Sequence, residues 1–416
     1  MNGKNNSVRA IIILGVIGVL VFAIIYGGIS ATKNVGKSKT AVTAEKAIKT
    51  MNKLYDDIDV STETPRKVPV SLEAASVKEA LPEISKYPAQ VENTTDTYIE
   101  IFSSTEKAGE GKDGWLIDMA NAFNSSGAQV GGQTASVRIR GIASGTGTDY
   151  ITSGKYLPDA FTPSNELWGK MIEAQGTKIN LVEDRLTGNV AGVLMSKTKY
   201  NELLDKYGSI NLKNITEAVA ANEIAMGYTN PFASSTGLNF LVSTLYTFDE
   251  KDPLSVQAIQ GFETFQTNIP FVAYTTLQMR DSASSGVLDG FIMEYQTFNN
   301  SADLKADYIF TPFGVRHDSP VYEIGDLTAE KKEILKQFIA FCGTKQSQAL
   351  ASEDGFNFLD EYKPEIGDIS GDTITQAQKL WKEKKNGTND IVAVFVADVS
   401  GSMEGEPMNK LKESLL

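Results

Sequence analysis

"GYTNPFASSTGLNF", residues 227–240, joins two kinds of local structure through one polar loop. "EIAM" at 223–226 leads in as an apolar strand, and Thr229 and Asn230 follow at its carboxyl end. Pro231 cannot donate to a ladder and stops the strand. Ser234, Ser235 and Thr236 then precede "GLNFLVSTLYTF", an apolar helix. The same order of strand, hydroxyl-bearing loop and helix recurs along the chain. "TYIEIFS" ends in Ser103-Ser104-Thr105, and "GWLIDMANAFNSS" follows with Trp115, Met119 and Phe123 on one helical face. "ASVRIRGIA" runs into Ser144-Gly145-Thr146, and "LPDAFTP" into Ser164-Asn165 before another helix. "VAGVLMSKTKYNELLDKYG" and "GVLDGFIMEYQTF" continue the pattern. Alternating strands and helices imply an α/β fold with a largely parallel sheet.

Any one of these clusters is explained by helix capping, because Ser, Thr and Asn are the preferred N-caps. Four of them at strand ends point further. Ligands of open α/β sheets bind beyond the carboxyl ends of the strands. Helix amino termini there present unpaired N–H groups and partial positive charge, which suits an oxyanion or another polar molecule.

Composition narrows the function. The 416 residues are 41% hydrophobic and 22% charged, and the net charge is −13. The acidic balance disfavours nucleic acid as a partner. His317 is the only histidine, sits in the turn-like "FGVRHDSP" and is expected to do no chemistry. Cys342 is the only cysteine, so no internal disulfide forms, and it is expected as a small core residue of the closing helix that Thr328 caps. Residues 10–30 carry no charge and are long enough to cross a bilayer of about 30 Å. They are expected as an uncleaved transmembrane anchor, because Ile29 and Ala31 make a poor cleavage site. Lys4 and Arg9 place residues 1–9 in the cytoplasm, although Lys33, Lys37 and Lys39 oppose them. Residues 31–95, rich in Pro, Ser, Thr and charge after a short amphipathic helix, are expected as a stalk.

"IEIFSST", "ASGTGTDYITSGKYLPDAFTPSNELW", "GYTNPFASSTGLNF" and "LDGFIMEYQTF" together resemble the bacterial extracellular solute-binding proteins of the two-lobed type that includes molybdate, sulfate and phosphate binders. The resemblance covers about residues 96–365. It implies two α/β lobes, the first of 96–193 and 300–365 and the second of 194–299, closing on a ligand. The residues it implies for the ligand are Ser104, Ser144, Thr146, Ser164, Thr229, Asn230, Ser234, Ser235 and Thr236, with Asp289 and Tyr295 near the hinge. Arg138, Arg140 and Lys155 are the nearest cations, and strand alternation directs both arginines to solvent, so an oxyanion, a peptide and a sugar all stay open.

After a linker at 366–389, "IVAVFVADVSGSM" carries Asp398, Ser400 and Ser402 at alternate positions after an apolar strand. These hard oxygen donors suit a divalent cation, most readily Mg²⁺. They resemble the metal site of von Willebrand factor A domains, of which 390–416 would be the Rossmann-like opening strand and helix, with the site incomplete and empty of metal in this chain. The main expectation is a membrane-anchored, extracytoplasmic binding protein that captures a polar solute and, in a longer protein, touches a protein partner through the metal site. One alternative is the solute-capturing component of an ABC-type importer. The other, a hydrolase using Asp289 with Glu294 or Asp149 with Asp159, has nothing to set its geometry.

Overall fold

The computed structural model describes residues 48–49, 52–53, 76–274, 276, 278–279, 288–385 and 401–415. Residues 1–73 form one unit and 74–416 another. Of the first unit, residues 48, 49, 52 and 53 are helical, inside the segment read as a short amphipathic helix. The anchor expected at 10–30 lies outside the described residues, among which no helix is long and apolar enough to cross a membrane.

The second unit contains two sheets. The first has strands β1 (Thr97–Ser103), β2 (Gln129–Val130), β3 (Gln133–Gly141), β4 (Ala160–Thr162), β5 (Ile179–Glu183) and β11 (Val321–Ile324), in the order β2-β3-β1-β4-β11-β5. β1 runs parallel to β3 and β4, and its last five residues are buried. This is the expected signature of a strand covered on both faces. One cover is the helix Trp115–Ser125, which buries Trp115, Met119 and Phe123 as its spacing predicts. Another is the helix Ala329–Cys342, capped by Thr328, with Cys342 fully buried.

The second sheet has β6 (Val190–Ser196), β7 (Met226–Thr229), β8 (Phe271–Ala273), β9 (Gly290–Glu294) and β10 (Tyr308–Arg316), in the order β10-β6-β9-β7-β8. The chain therefore crosses between sheets at 184–189 and again at 317–320. Sequence reading placed 300–365 in the first lobe, but β10 pairs antiparallel with β6 from Tyr308 opposite Ser196 onward and belongs to the second. The two crossovers lie side by side: the His317 amide donates to Asn189 O and the Leu186 amide to Ser319 O, at 3.0 and 3.3 Å.

Two segments read as spacer and linker are partly built into the lobes. Within 76–95, Val91 is buried and bridges to Ile139, and Pro82 O accepts from the Tyr150 hydroxyl at 2.7 Å. The helix Gly371–Lys384 buries Ile374, Leu380 and Trp381 in one apolar cluster with Trp168 and Met171 of the first lobe and Tyr228 and Phe240 of the second. Gln378 Nε2 donates to Pro231 O at 2.8 Å, and Trp381 Nε1 donates to the Tyr228 hydroxyl. This helix straps the lobes together. Proline and charge density signalled linkers here, whereas burial depends on partners far along the chain.

Candidate functional site: the interlobe cleft

Each hydroxyl loop follows a strand that ends at the same face of its sheet. Ser104 follows β1 and Ser164 follows β4 in the first lobe. Ser144 opens the helix Ser144–Ser153 after β3. In the second lobe, Ser234 caps the helix Ser235–Phe248 after β7, its hydroxyl accepting from the Gly237 amide at 3.2 Å. A side chain at Gly237 would meet Thr229 O at 2.1 Å, so only glycine lets this helix begin so close to the strand end.

The two sets of loops meet. A cavity of about 20 Å³ is lined by Ser104, Glu106, Ser144 and Ser164 from one lobe and Ser234, Ser235, Thr276 and Glu294 from the other. That is room for one water-sized group. The lobes touch directly around it. The Gly145 amide donates to Ala233 O at 3.1 Å, Asn165 Nδ2 donates to Ser235 O at 3.3 Å, and Trp168 Nε1 donates to Ser235 Oγ at 2.8 Å. Thr146 Oγ1 and the Tyr274 hydroxyl lie 3.3 Å apart across the mouth. This is a closed arrangement of the cleft.

Of the residues expected from sequence, Ser104, Ser144, Ser164, Ser234 and Ser235 line the cavity. Thr236 stands behind it and donates to Glu294 Oε1 at 3.1 Å. Thr229 donates to Ser234 Oγ at 2.9 Å, and Asn230 Oδ1 accepts from the Phe232 amide at 2.8 Å, so both shape the loop. Two of the expected residues do not line the cavity. Asp289 lies at the start of β9, its carboxylate accepting from the Ala225 amide at 2.8 Å, at the other end of the strand from Glu294. Tyr295 packs into an aromatic group with Phe298, Phe310 and Phe358. The hydrolase pairs fare likewise: Asp159 accepts from the Glu100 amide and from Lys331, holding β1 to the closing helix, and Asp289 and Glu294 are separated by the length of β9.

The arginines are not both turned to solvent. Arg140 is buried and pairs with Glu100 at 2.7 Å, while Arg138 pairs with Glu92 near the surface. Neither lines the cleft. A larger groove, of about 530 Å³, lies by the crossover beside the Lys170–Asp368 and Arg316–Asp318 ion pairs, away from the hydroxyl loops.

Sequence reasoning missed the charged floor of the site. Glu106 and Glu294 are both buried and both line the cavity. Lys107 is fully buried beside them, donating to Thr162 O at 2.9 Å and to Ser104 Oγ. Burial works against ionisation of Glu106, but the Lys107 charge and the Ser104 and Ser164 hydroxyls outweigh it and hold the carboxyl below its usual range. Burial, with the Glu106 charge, raises Glu294 despite His317 and Thr236. His317, expected in an inert turn, is buried at the crossover. Its Nδ1 lies 2.9 Å from Glu294 Oε1, and its Nε2 faces Asn165 Nδ2 and Asn239 Nδ2 at 3.1 and 3.2 Å. Two amide donors aimed at Nε2 make it the acceptor and Nδ1–H the donor to Glu294. The only legible signal was Glu-Lys directly after the Ser-Ser-Thr of β1.

A family model for bacterial extracellular solute-binding proteins matches residues 108–357. The chain belongs to that family. Among solved structures it is similar to the sulfate-binding protein SubI from Mycobacterium tuberculosis, at 15% identity and TM-score 0.43, covering 64% of this chain and 88% of that one. It is also similar to a periplasmic thiamin binding protein, at 10% identity and TM-score 0.48, covering 71% and 99%. The substrate binding protein of an ABC transporter from Agrobacterium tumefaciens aligns at 12% identity and TM-score 0.49, covering 72% and 99%. No curated protein matches the sequence.

Proposed function

We propose that this chain captures a small polar solute between its two lobes and serves as the solute-binding component of an ABC-type importer. The observation that carries the reading is the meeting of five serine side chains from both lobes around one cavity, sealed by backbone and side-chain bonds between lobes. Hydroxyls donate and accept, so such a set grips a polar guest and needs no reaction to do so. Binding that joins two lobes is a population shift: the solute stabilises the closed form because only that form offers both sets of contacts. Calorimetry and small-angle scattering on the purified chain test this. A bound solute that reduces the radius of gyration supports it; solutes that bind without changing the scattering, or with no dependence on Ser144 and Ser235, overturn it.

Family membership supports an extracytoplasmic placement of the lobes. The anchor at 10–30 remains part of the proposal, and so does the metal-dependent partner contact. Asp398 and Ser400 lie outside the described residues, while Ser402 falls in the turn Gly401–Met403, ahead of the helix Glu406–Leu415. The strap helix supports a link between the two functions, since it touches both lobes and leads toward residue 390. Topology mapping with a reporter fused after residue 30 decides the anchor, and a cytosolic reporter signal there sinks it.

A further inference from the structure

Three observations bear on the kind of solute. First, three of the backbone amides around the cavity are already bonded within the protein. The Gly145 amide is spent on Ala233 O, the Gly237 amide on Ser234 Oγ and the Ser104 amide on Thr162 O at 3.2 Å. Second, the described cavity wall contains two carboxylates and no arginine, lysine or histidine. Lys107 is turned to Thr162 O and Ser104 Oγ behind that wall. Third, Glu294 is only 2% exposed, and its Oε1 is shared by Thr236 and His317, yet its Oε2 has no hydrogen-bond partner among the described residues. A buried carboxylate oxygen left unpaired is costly and calls for a donor.

We infer that the group seated between the lobes is an N–H-donating cation, an ammonium of a small solute, accepted by Glu294 Oε2 and Glu106 with the serine hydroxyls around it. This rests on the solute-binding reading above and deepens it. An N–H cation brings donors to two acceptors that have none to spare for each other, and its charge offsets the repulsion between them. An oxyanion would bring a further negative charge beside two buried carboxylates, of which Lys107 offsets only Glu106. The raised Glu294 carboxyl sets a sign for the pH dependence. A cation binds the ionised form, so binding releases a proton and strengthens as pH rises through the ligand-free value of Glu294.

The test uses the purified full chain at constant ionic strength. Methylammonium, guanidinium and arginine chlorides are titrated calorimetrically, alongside sodium sulfate, molybdate and phosphate and magnesium chloride. At least one N–H cation is expected to bind, with affinity rising as pH rises above the ordinary carboxylate range and with proton release seen as a dependence on buffer ionisation enthalpy. Glu294→Gln should weaken it by about 10- to 100-fold, the loss of one charge-assisted bond, while circular dichroism shows the fold intact. Glu106→Gln provides a second variant should Glu294→Gln not fold. Binding of an oxyanion or of Mg²⁺ alone, indifference to both substitutions, or silence of all three N–H cations overturns the inference. If sulfate or a neutral solute closes the lobes, solute binding stands and the charge assignment falls. If a cation binds with no compaction, the solute-binding reading is the part that fails.

Discussion

Gly145 lies at a close approach between the lobes. A Cβ there would lie 1.8 Å from Phe232 O, so alanine cannot be accommodated while the Gly145 amide stays bonded to Ala233 O. Because this contact exists only between lobes, Gly145→Ala should leave each lobe folded and bias the equilibrium toward the open form. Solute affinity is expected to fall by about 10-fold or more, with a larger ligand-free radius of gyration; equal affinity and equal scattering would refute the closed arrangement. Asp149 offers a second residue-scale test. Burial pushes its carboxyl up to about 6 from 3.8 in the unfolded chain. A raised folded value means the contribution to stability is complete below 3.8 and disappears as pH climbs through about 6. Asp149→Asn should therefore be near neutral at pH 4 and stabilising by up to about 3 kcal/mol at pH 7 and above, measured by urea unfolding at both pH values. The serines were legible because a strand end followed by a hydroxyl cluster is a local pattern. Glu294 was visible only as an acid among many, since its importance lies in what does not pair with it.

Among elements, the helix Gly371–Lys384 carries the clearest consequence. Trp381 is 4% exposed and lies against Phe232, with ring centres 5.8 Å apart. Truncating it opens a cavity against the second lobe beside Tyr228 and Phe232. Trp381→Ala should cost about 3–5 kcal/mol in global stability, whereas Gln378→Ala, which removes one bond to Pro231 O, should cost about 1 kcal/mol. Chemical denaturation of the two variants separates them, and equal small losses would mean the helix is only loosely attached. Strand and helix identities in the lobes were readable from period: "TYIEIFS" as a strand and the Trp115, Met119, Phe123 face as a helix. The strap was not, because Gly371, Asp372 and the lysines of 371–384 look solvated until the facing helix of Trp168 is in place.

For the whole molecule, one apolar cluster runs through the first lobe, the second lobe and the strap. Shared core of this kind couples the lobes in unfolding. Residues 74–385 are expected to unfold in a single calorimetric transition with van't Hoff and calorimetric enthalpies in agreement, and deletion of 371–385 should split or broaden it. Two resolved transitions in the intact chain would show that the lobes unfold apart. The placement of β10 in the second sheet belongs to this scale: the chain returns through the crossover only after β10 has paired with β6.

What the residues alone settled was local. Alternation, capping and turn chemistry specified an α/β architecture and put hydroxyls at strand ends, because those preferences act over a few neighbouring positions. The tertiary structure decided which ends meet and what charge they enclose. Glu294 and His317 are 23 positions apart, Trp168 and Ser235 are 67, and Asn165 and His317 are 152. Contacts at such separations depend on sheet order and crossover position, and no periodicity in the sequence encodes them.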